Sequence, residues 1–119
     1  MQQSVTFPSD GLALSGIVHI PDGLKSGERR PAIIMMHGFG ANKDGGPEWV
    51  CEQFESWCYV ALRFDYRGCG ESEGEPGRVI AMEEVSDARK ALTYMASRPE
   101  VDGGRIALCG SSLGAGVAV

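Results

Sequence analysis

The serine at position 112 stands in the surroundings that covalent catalysis requires. It is the third residue of Gly110-Ser111-Ser112-Leu113-Gly114, which follows the apolar run from Arg105 to Cys109 and precedes the small apolar residues 115–119. A sharp turn from a strand into a helix strains such a serine and lifts its oxygen clear of the sheet. Gly110 and Gly114, two residues to either side, leave room for the two backbones to approach. The pattern predicts Ser112 as a nucleophile, with Ser111 one position out of register; the alternative is a tight turn without chemistry.

A second glycine-rich segment is predicted to face this serine. His37-Gly38-Phe39-Gly40 directly follows the apolar run from Ala32 to Met36. The carboxyl ends of parallel strands meet at one edge of a sheet, so the backbone of this segment can approach Ser112. Acyl transfer needs donors aimed at the developing oxyanion. We expect the backbone N–H groups of Phe39 and of Leu113, at a helix start, to supply two of them.

The two histidines of the sequence are weak candidates for a general base. His37 would have to reach Ser112 from a backbone fixed in a turn, which favours a structural hydrogen bond instead. His19 lies in a predicted hairpin strand, where we expect an edge or surface residue.

Other motifs are best explained without chemistry. The sequence has no GxxxxGK[ST], and no third glycine of GxGxxG follows Gly38 and Gly40 or Gly68 and Gly70, which argues against nucleotide binding. Asp65 and Arg67 resemble part of a metal or phosphate site, but an ion pair between Arg67 and Asp87 that braces the loop is the simpler interpretation. Cys109 is expected to be a small buried residue rather than a nucleophile.

Charge and cysteine content limit the partners and the compartment. A net charge of −5 and a pI near 4.9 argue against nucleic acid or an anionic membrane as a partner. The N-terminus lacks a signal-peptide pattern and no apolar run is long enough to span a bilayer, so a cytoplasmic location is expected. Four cysteines without zinc-ligand spacing predict reduced thiols and no metal site.

The order of predicted elements is that of an α/β protein. Ser4–Phe7 and Leu12–Ile20 alternate around a turn and predict a hairpin, and residues 32–36, 59–64 and 105–109 read as buried strands. Pro47 opens a predicted helix with an apolar stripe at Val50, Phe54, Trp57 and Cys58, and a second helix has its stripe at Met82, Val85, Ala88, Leu92 and Met95. Alternating strands and helices imply a mainly parallel sheet after the hairpin.

Three segments, taken in chain order, resemble the α/β-hydrolase superfamily: residues 37–40, the DxRGxGxS element within residues 63–72, and residues 110–114. Within it, residues 10–16 and 37–43 are similar to lidded carboxylesterases, including cinnamoyl and feruloyl esterases. The resemblance implies the N-terminal part of an α/β-hydrolase fold. We therefore expect residues 1–119 to form one incomplete core domain that lacks the later strands and the lid.

The resemblance also implies roles for the residues. Ser112 would attack the carbonyl of a small-molecule ester, the N–H groups of Phe39 and Leu113 would hold the oxyanion, and water would hydrolyse the acyl-enzyme without a cofactor. His37, Gly38, Gly110 and Gly114 would support these positions. In the family the acid and the histidine follow the serine in the chain, so both are expected beyond Val119, and residues 1–119 alone should be nearly inactive. The strand at residues 105–109 would present an open edge, so we expect a complementary polypeptide to carry the rest of the fold.

Alternative functions stay open. Thioesterase, acyltransferase and serine peptidase keep the acyl-serine chemistry with another substrate or acceptor. A hydrolase fold used as a non-catalytic binding module is the alternative from another class.

Overall fold

A five-stranded sheet with helices on both faces forms the frame of the protein in a computed structural model that describes residues 1–118. The elements are β1 (Gln2–Ser9), β2 (Leu12–His19), β3 (Arg30–Met36), α1 (Gly46–Ser56), β4 (Val60–Phe64), α2 (Ala81–Ala96), β5 (Val101–Gly110) and α3 (Leu113–Ala118). The strand order across the sheet is β1-β2-β4-β3-β5. Within the described residues, no helix is both long and apolar enough to cross a membrane.

The predicted N-terminal hairpin is confirmed. Strands β1 and β2 pair antiparallel with Ser9 opposite Leu12, so that only Asp10 and Gly11 form the loop. Both residues have positive φ, 48° and 81°, as a type I′ turn requires. Aspartate followed by glycine tolerates this conformation, which is why the turn is readable from sequence.

The parallel part of the sheet is confirmed as well. β3 pairs in parallel with β4 on one side and with β5 on the other, while β2 joins β4 antiparallel. The carboxyl ends of β3 and β5 therefore lie side by side, with Met36 opposite Gly110. This register places the segment after β3 next to the turn after β5.

Strand β5 begins at Val101, earlier than the predicted Arg105. Its pairing with β3 shifts register between Arg30 and Ala32, because Val101 pairs with Arg30 and Ile106 with Ala32. The extra residues of β5 include Gly103 and Gly104, which alone read as a turn. In the structure they form an irregularity within the strand.

Apolar side chains pack on the two faces of the sheet, one face under each long helix. The larger cluster lies between the sheet and α2 and α3, and it includes Phe7, Leu14, Ile34, Leu62, Phe64, Met95 and Val117. The smaller cluster lies under α1 and includes Ile33, Met35, Cys51 and Ala61. Packing on both faces holds the strands in place, and the strands in turn position the loops at their carboxyl ends.

Four details of burial differ from the sequence predictions. Cys109 is half-buried rather than buried, because β5 is an edge strand of the described sheet. His19 is buried rather than at an edge, because β2 lies between β1 and β4. On α1 the fully buried residue is Cys51, whereas Trp57 and Cys58 are exposed beyond the helix end at Ser56. On α2, Met82 and Leu92 of the predicted stripe are exposed. The buried residues of this helix are Glu84, Asp87, Ala88, Ala91 and Met95.

Candidate active site

Ser112 occupies a sharp turn between β5 and α3 and is exposed at its surface. Its φ angle is 55°, in the left-handed region that residues with a side chain seldom adopt. The turn is closed by hydrogen bonds from Gly114 N to the Ser111 carbonyl, 3.0 Å, and from Ala115 N to the Ser112 carbonyl, 3.1 Å. A strained serine at a strand-to-helix turn is typical of a nucleophile held clear of the sheet.

The two flanking glycines meet backbone so closely that no side chain fits. A β carbon added at Gly110 would lie 2.3 Å from the carbonyl carbon of Gly114. A β carbon at Gly114 would lie 2.5 Å from the Met36 carbonyl oxygen and 2.7 Å from that of His37. The spacing of the motif therefore has a steric cause: the start of α3 is pressed against the end of β3.

The segment after β3 reaches the serine. A β carbon at Gly38 would lie 3.3 Å from the Ser111 carbonyl oxygen and 3.5 Å from Ser112 Cβ. Phe39, the next residue, is 74% exposed. The structure thus brings His37 and Gly38 against the Ser112 turn, as expected for two loops at one edge of a parallel sheet.

Two backbone N–H groups beside the serine have no acceptor within the described part of the chain. They are those of Phe39 and of Leu113, the first residue of α3. N–H groups at the first turn of a helix have no intrahelical partner. Unpaired N–H donors near a nucleophile are able to stabilise negative charge that develops on a bound carbonyl oxygen.

His37 is engaged on both ring nitrogens. Its Nδ1 lies 2.8 Å from the Gly38 carbonyl oxygen, and its Nε2 lies 3.3 Å from the backbone nitrogen of Tyr66. A carbonyl accepts and an N–H donates, so these partners select the neutral ring with the proton on Nδ1. The ring also packs edge to face on Tyr66, with centroids 4.7 Å apart. His37 ties the two loops together and is not free to serve as a base.

His19 lies in a separate polar network. Its Nδ1 is 3.0 Å from Glu55 Oε1, and its Nε2 accepts a hydrogen bond from Arg63 Nε at 3.0 Å. Burial lowers the pKa of His19, although the hydrogen bond to Glu55 opposes this. Within residues 1–118 neither histidine is therefore placed to activate Ser112.

Lys43 and Asp65 form a buried ion pair that the sequence did not predict. Lys43 Nζ lies 2.9 Å from Asp65 Oδ2 and 2.6 Å from Glu71 Oε1, and the side chains of Lys43 and Asp65 are 3% and 0% exposed. Burial alone would lower the pKa of Lys43, but its hydrogen bonds to Glu71 and Asp65 outweigh burial and raise it. A lysine in a glycine-rich loop reads as exposed in a sequence. The one sequence signal is that Asp65, the partner of Lys43, is the first residue of the DxRGxGxS element.

The predicted ion pair between Arg67 and Asp87 is present. Asp87 accepts hydrogen bonds from Arg67 N at 2.9 Å, from Arg67 Nη2 at 2.8 Å and from Ser9 Oγ at 2.7 Å.

On the same helix α2, burial and the charge of Asp87 raise the pKa of Glu84 to about 7. Burial also raises the pKa of Tyr66, whose hydroxyl, like Glu84 Oε1, lacks a hydrogen-bond partner among the described residues.

Comparison with known proteins identifies the family and the fold of the chain. The sequence family described as serine aminopeptidase, S33 matches residues 27–119. The thiohydrolase aneE of Aspergillus aculeatus is 35% identical over 111 residues, which are 92% of this chain and 33% of that protein. The chain spans about a third of the length of the curated relatives it matches.

Two solved esterase-like structures share the fold. The acetyl xylan esterase from Paenibacillus sp. R4 superposes with a TM-score of 0.84 at 27% identity, covering 98% of this chain and 43% of that one. Est1E from Butyrivibrio proteoclasticus, solved with ferulic acid bound, gives a TM-score of 0.82 at 22% identity, covering 91% and 42%. At that identity the second likeness concerns the fold alone. The predicted resemblance is confirmed: this chain belongs to the α/β-hydrolase family of serine aminopeptidase S33 type and has the architecture of the N-terminal part of that fold.

Proposed function

We propose that the protein is a serine hydrolase that cleaves small carboxylic esters through an acyl-enzyme on Ser112. Ser112 Oγ attacks the ester carbonyl, the alcohol leaves, and water then releases the acid. The N–H groups of Phe39 and Leu113 hold the oxyanion at both tetrahedral stages. The acid and the histidine that activate Ser112 are assigned to residues of the protein outside 1–118, since both histidines within this range are engaged elsewhere.

One observation carries the proposal: Ser112 has a φ of 55° and lies directly beside Gly38, the residue before Phe39. A backbone conformation that costs free energy is kept in a folded protein when something depends on it. A turn that served only to reverse the chain would place glycine at that position, because glycine adopts positive φ without strain. The similarity to an acetyl xylan esterase supports an ester as the substrate class.

The test uses two adjacent serines in the full-length protein that contains this chain. Ser112→Ala removes the proposed nucleophile, whereas Ser111→Ala removes the neighbouring exposed hydroxyl and is the matched control. We expect a fluorophosphonate adduct on the wild type and on Ser111→Ala that maps to Ser112, and none on Ser112→Ala. Hydrolysis of p-nitrophenyl acetate should fall by about 10⁴-fold in Ser112→Ala only. Unchanged turnover by Ser112→Ala would reject the proposal, and a folded wild type with neither adduct nor turnover would favour a binding module.

Thioester hydrolysis is the second candidate, and the similarity to a thiohydrolase favours it. The same serine, oxyanion donors and acyl-enzyme serve both reactions, which differ in the leaving group. Acyl transfer and peptide cleavage differ from ester hydrolysis only in the acceptor or in the bond attacked. Comparing kcat/KM for an acetyl ester, an acetyl thioester and an aminoacyl anilide of the same acyl length distinguishes ester, thioester and peptide cleavage, and a higher value for the thioester would reassign the substrate class. Adding an alcohol acceptor and measuring the transferred product distinguishes acyl transfer from hydrolysis.

A further inference from the structure

The segment that carries Phe39 is an exposed arch between two fixed ends. Residues 39–42 are exposed, whereas His37 before them and Lys43 after them are buried. A turn closed by Ala41 N and the Gly38 carbonyl oxygen, 3.2 Å apart, holds the arch internally. The direction of the Phe39 N–H therefore depends on how the two ends of the arch are held.

The first end is held by His37, whose ring bonds to the Gly38 carbonyl and to the backbone of Tyr66. The second end is held by Lys43 through three of its groups. Its backbone N–H donates to Asp65 Oδ1 at 2.6 Å, its Nζ donates to Asp65 Oδ2 at 2.9 Å, and its carbonyl accepts from Arg63 Nη1 at 3.1 Å. Both ends are thus bound to the end of β4 and to the first residues after it, Asp65 and Tyr66.

Asp65, which binds Lys43, is itself held by hydrogen bonds on its backbone and on its carboxylate. Its backbone nitrogen donates to the Ser15 carbonyl at 2.9 Å, and its carbonyl accepts from Ser72 Oγ at 2.6 Å. Oδ2 also accepts from Glu71 N at 2.9 Å, and a β carbon at Gly70 would lie 2.3 Å from that oxygen. The carboxylate fills a cradle that only glycine permits at position 70.

Burying an ammonium group costs free energy even when it is paired, and a glycine-rich arch could end without one. An apolar residue at position 43 could not form the ion pair with Asp65. This pair fixes where the chain of the arch ends and in which direction it continues. We propose that Lys43 is a positioning residue that, through Asp65, holds the Phe39 N–H in the direction needed to bind the oxyanion. This inference rests on the proposed function of Ser112 and Phe39.

The test combines a structural and a kinetic measurement on the full-length protein. In Lys43→Met the amides of residues 41 and 43, which are hydrogen-bonded in the wild type, should exchange with solvent about tenfold faster, because the bond from Nζ to Asp65 no longer helps to hold the second end of the arch. The kcat for ester hydrolysis should fall about tenfold with KM changed less than about twofold, since the oxyanion exists only after attack. Met95→Val, which trims a buried side chain late in α2, is the control for general destabilisation and should change neither quantity.

The outcomes separate the inference from the function it rests on. Unchanged exchange at residues 41 and 43, or faster exchange with unchanged kcat, overturns the role of Lys43 while Ser112 labelling stands. If Lys43→Met does not fold, Glu71→Ala decides, because Glu71 is exposed and this substitution removes only its hydrogen bond with Nζ. It should give a roughly twofold change of each quantity in the same direction, and no change overturns the inference. Ester hydrolysis that is unchanged in Ser112→Ala rejects the proposed function and, with it, the inference.

Discussion

Gly114 touches the end of β3 at Met36: a β carbon at Gly114 would lie 2.5 Å from the Met36 carbonyl oxygen. The nearest atoms belong to backbone, which cannot rotate away as a flexible side chain can. The contact therefore joins the start of α3 to the strand that leads into His37 and Gly38. The position of Ser112 relative to Phe39 depends on it.

Replacing Gly114 by alanine should be costly, whereas the same change two residues later should not. Gly114→Ala forces backbone apart in a packed region and should lower the free energy of unfolding by about 3 kcal/mol. Gly116, in the same helix, has open space where its β carbon would go, so Gly116→Ala should raise it by about 0.5 kcal/mol through helix propensity. Urea denaturation of both variants is the measurement; equal effects would mean that α3 does not pack on β3 as described.

Glu84 should make stability depend on pH. Its pKa is raised from 4.5 to about 7, first by burial and then by the charge of Asp87. A folded state that holds the proton more tightly than the unfolded state is stabilised at low pH. This contribution is complete below about pH 4.5 and is lost as the pH rises through about 7.

The variant Glu84→Gln should flatten this part of the profile. The difference in unfolding free energy between variant and wild type should change by about 2 kcal/mol in favour of the variant from pH 5 to pH 8. Glu83, the preceding residue, is the matched control, because its hydrogen bond to Arg78 lowers its pKa instead. Glu83→Gln should not change the slope between pH 5 and pH 8. A parallel profile for Glu84→Gln and wild type would show that Glu84 ionises normally in the folded protein.

The end of α1 predicts a stabilising substitution. Tyr59 N donates to the Phe54 carbonyl and Cys58 N to the Glu55 carbonyl, each at 3.0 Å, and Cys58 has a φ of 67°. This is the Schellman arrangement, in which the residue after the cap is usually glycine. Cys58→Gly should therefore raise the free energy of unfolding by about 0.5 kcal/mol, after the entropy that glycine gains in the unfolded chain.

Cys58→Ala is the control for this substitution, because it removes the exposed thiol but keeps the β carbon. Its midpoint of urea unfolding should match that of the wild type. If alanine stabilised as much as glycine, the thiol and not the backbone would be the cause.

Local signals explain which parts of the fold were predictable. The turn at Asp10-Gly11 and the apolar run of residues 32–36 are each determined by neighbours in the chain, and the structure confirms both. The contact between Gly38 and the Ser112 turn was also predictable, because parallel strands place their carboxyl ends together.

Buried charges were not predictable, because their burial depends on residues far apart in the chain. His19 becomes buried because β2 pairs with β4, which brings Arg63 to its ring. Lys43 and Asp65 are 22 residues apart and meet only because β3 and β4 are adjacent. Lysine and aspartate carry no sequence signal for such a pair, since most of them are exposed.

Replacing one carboxylate oxygen of Asp87 by an amide nitrogen should lower the free energy of unfolding strongly, because Asp87 is the buried partner of Arg67. The Asp87 carboxylate is fully buried and accepts from Arg67 at Nε, 3.0 Å, and at Nη2, 2.8 Å, as well as from Ser9 Oγ. Asp87→Asn keeps the shape but leaves the Arg67 charge without its buried partner and turns an amide N–H toward a donor. Such a change typically costs about 3 kcal/mol.

Asp10 offers the matched control, because it binds the same guanidinium from the surface. Asp10 Oδ2 lies 2.6 Å from Arg67 Nη2, and its side chain is 49% exposed. Asp10→Asn should cost much less than Asp87→Asn, since water replaces the lost charge interaction. The measurement is the free energy of unfolding of the two variants and of Asp10→Asn/Asp87→Asn. Equal single losses would show that burial does not strengthen the Asp87 pair, whereas a double loss that departs from the sum measures how far the two carboxylates share Arg67.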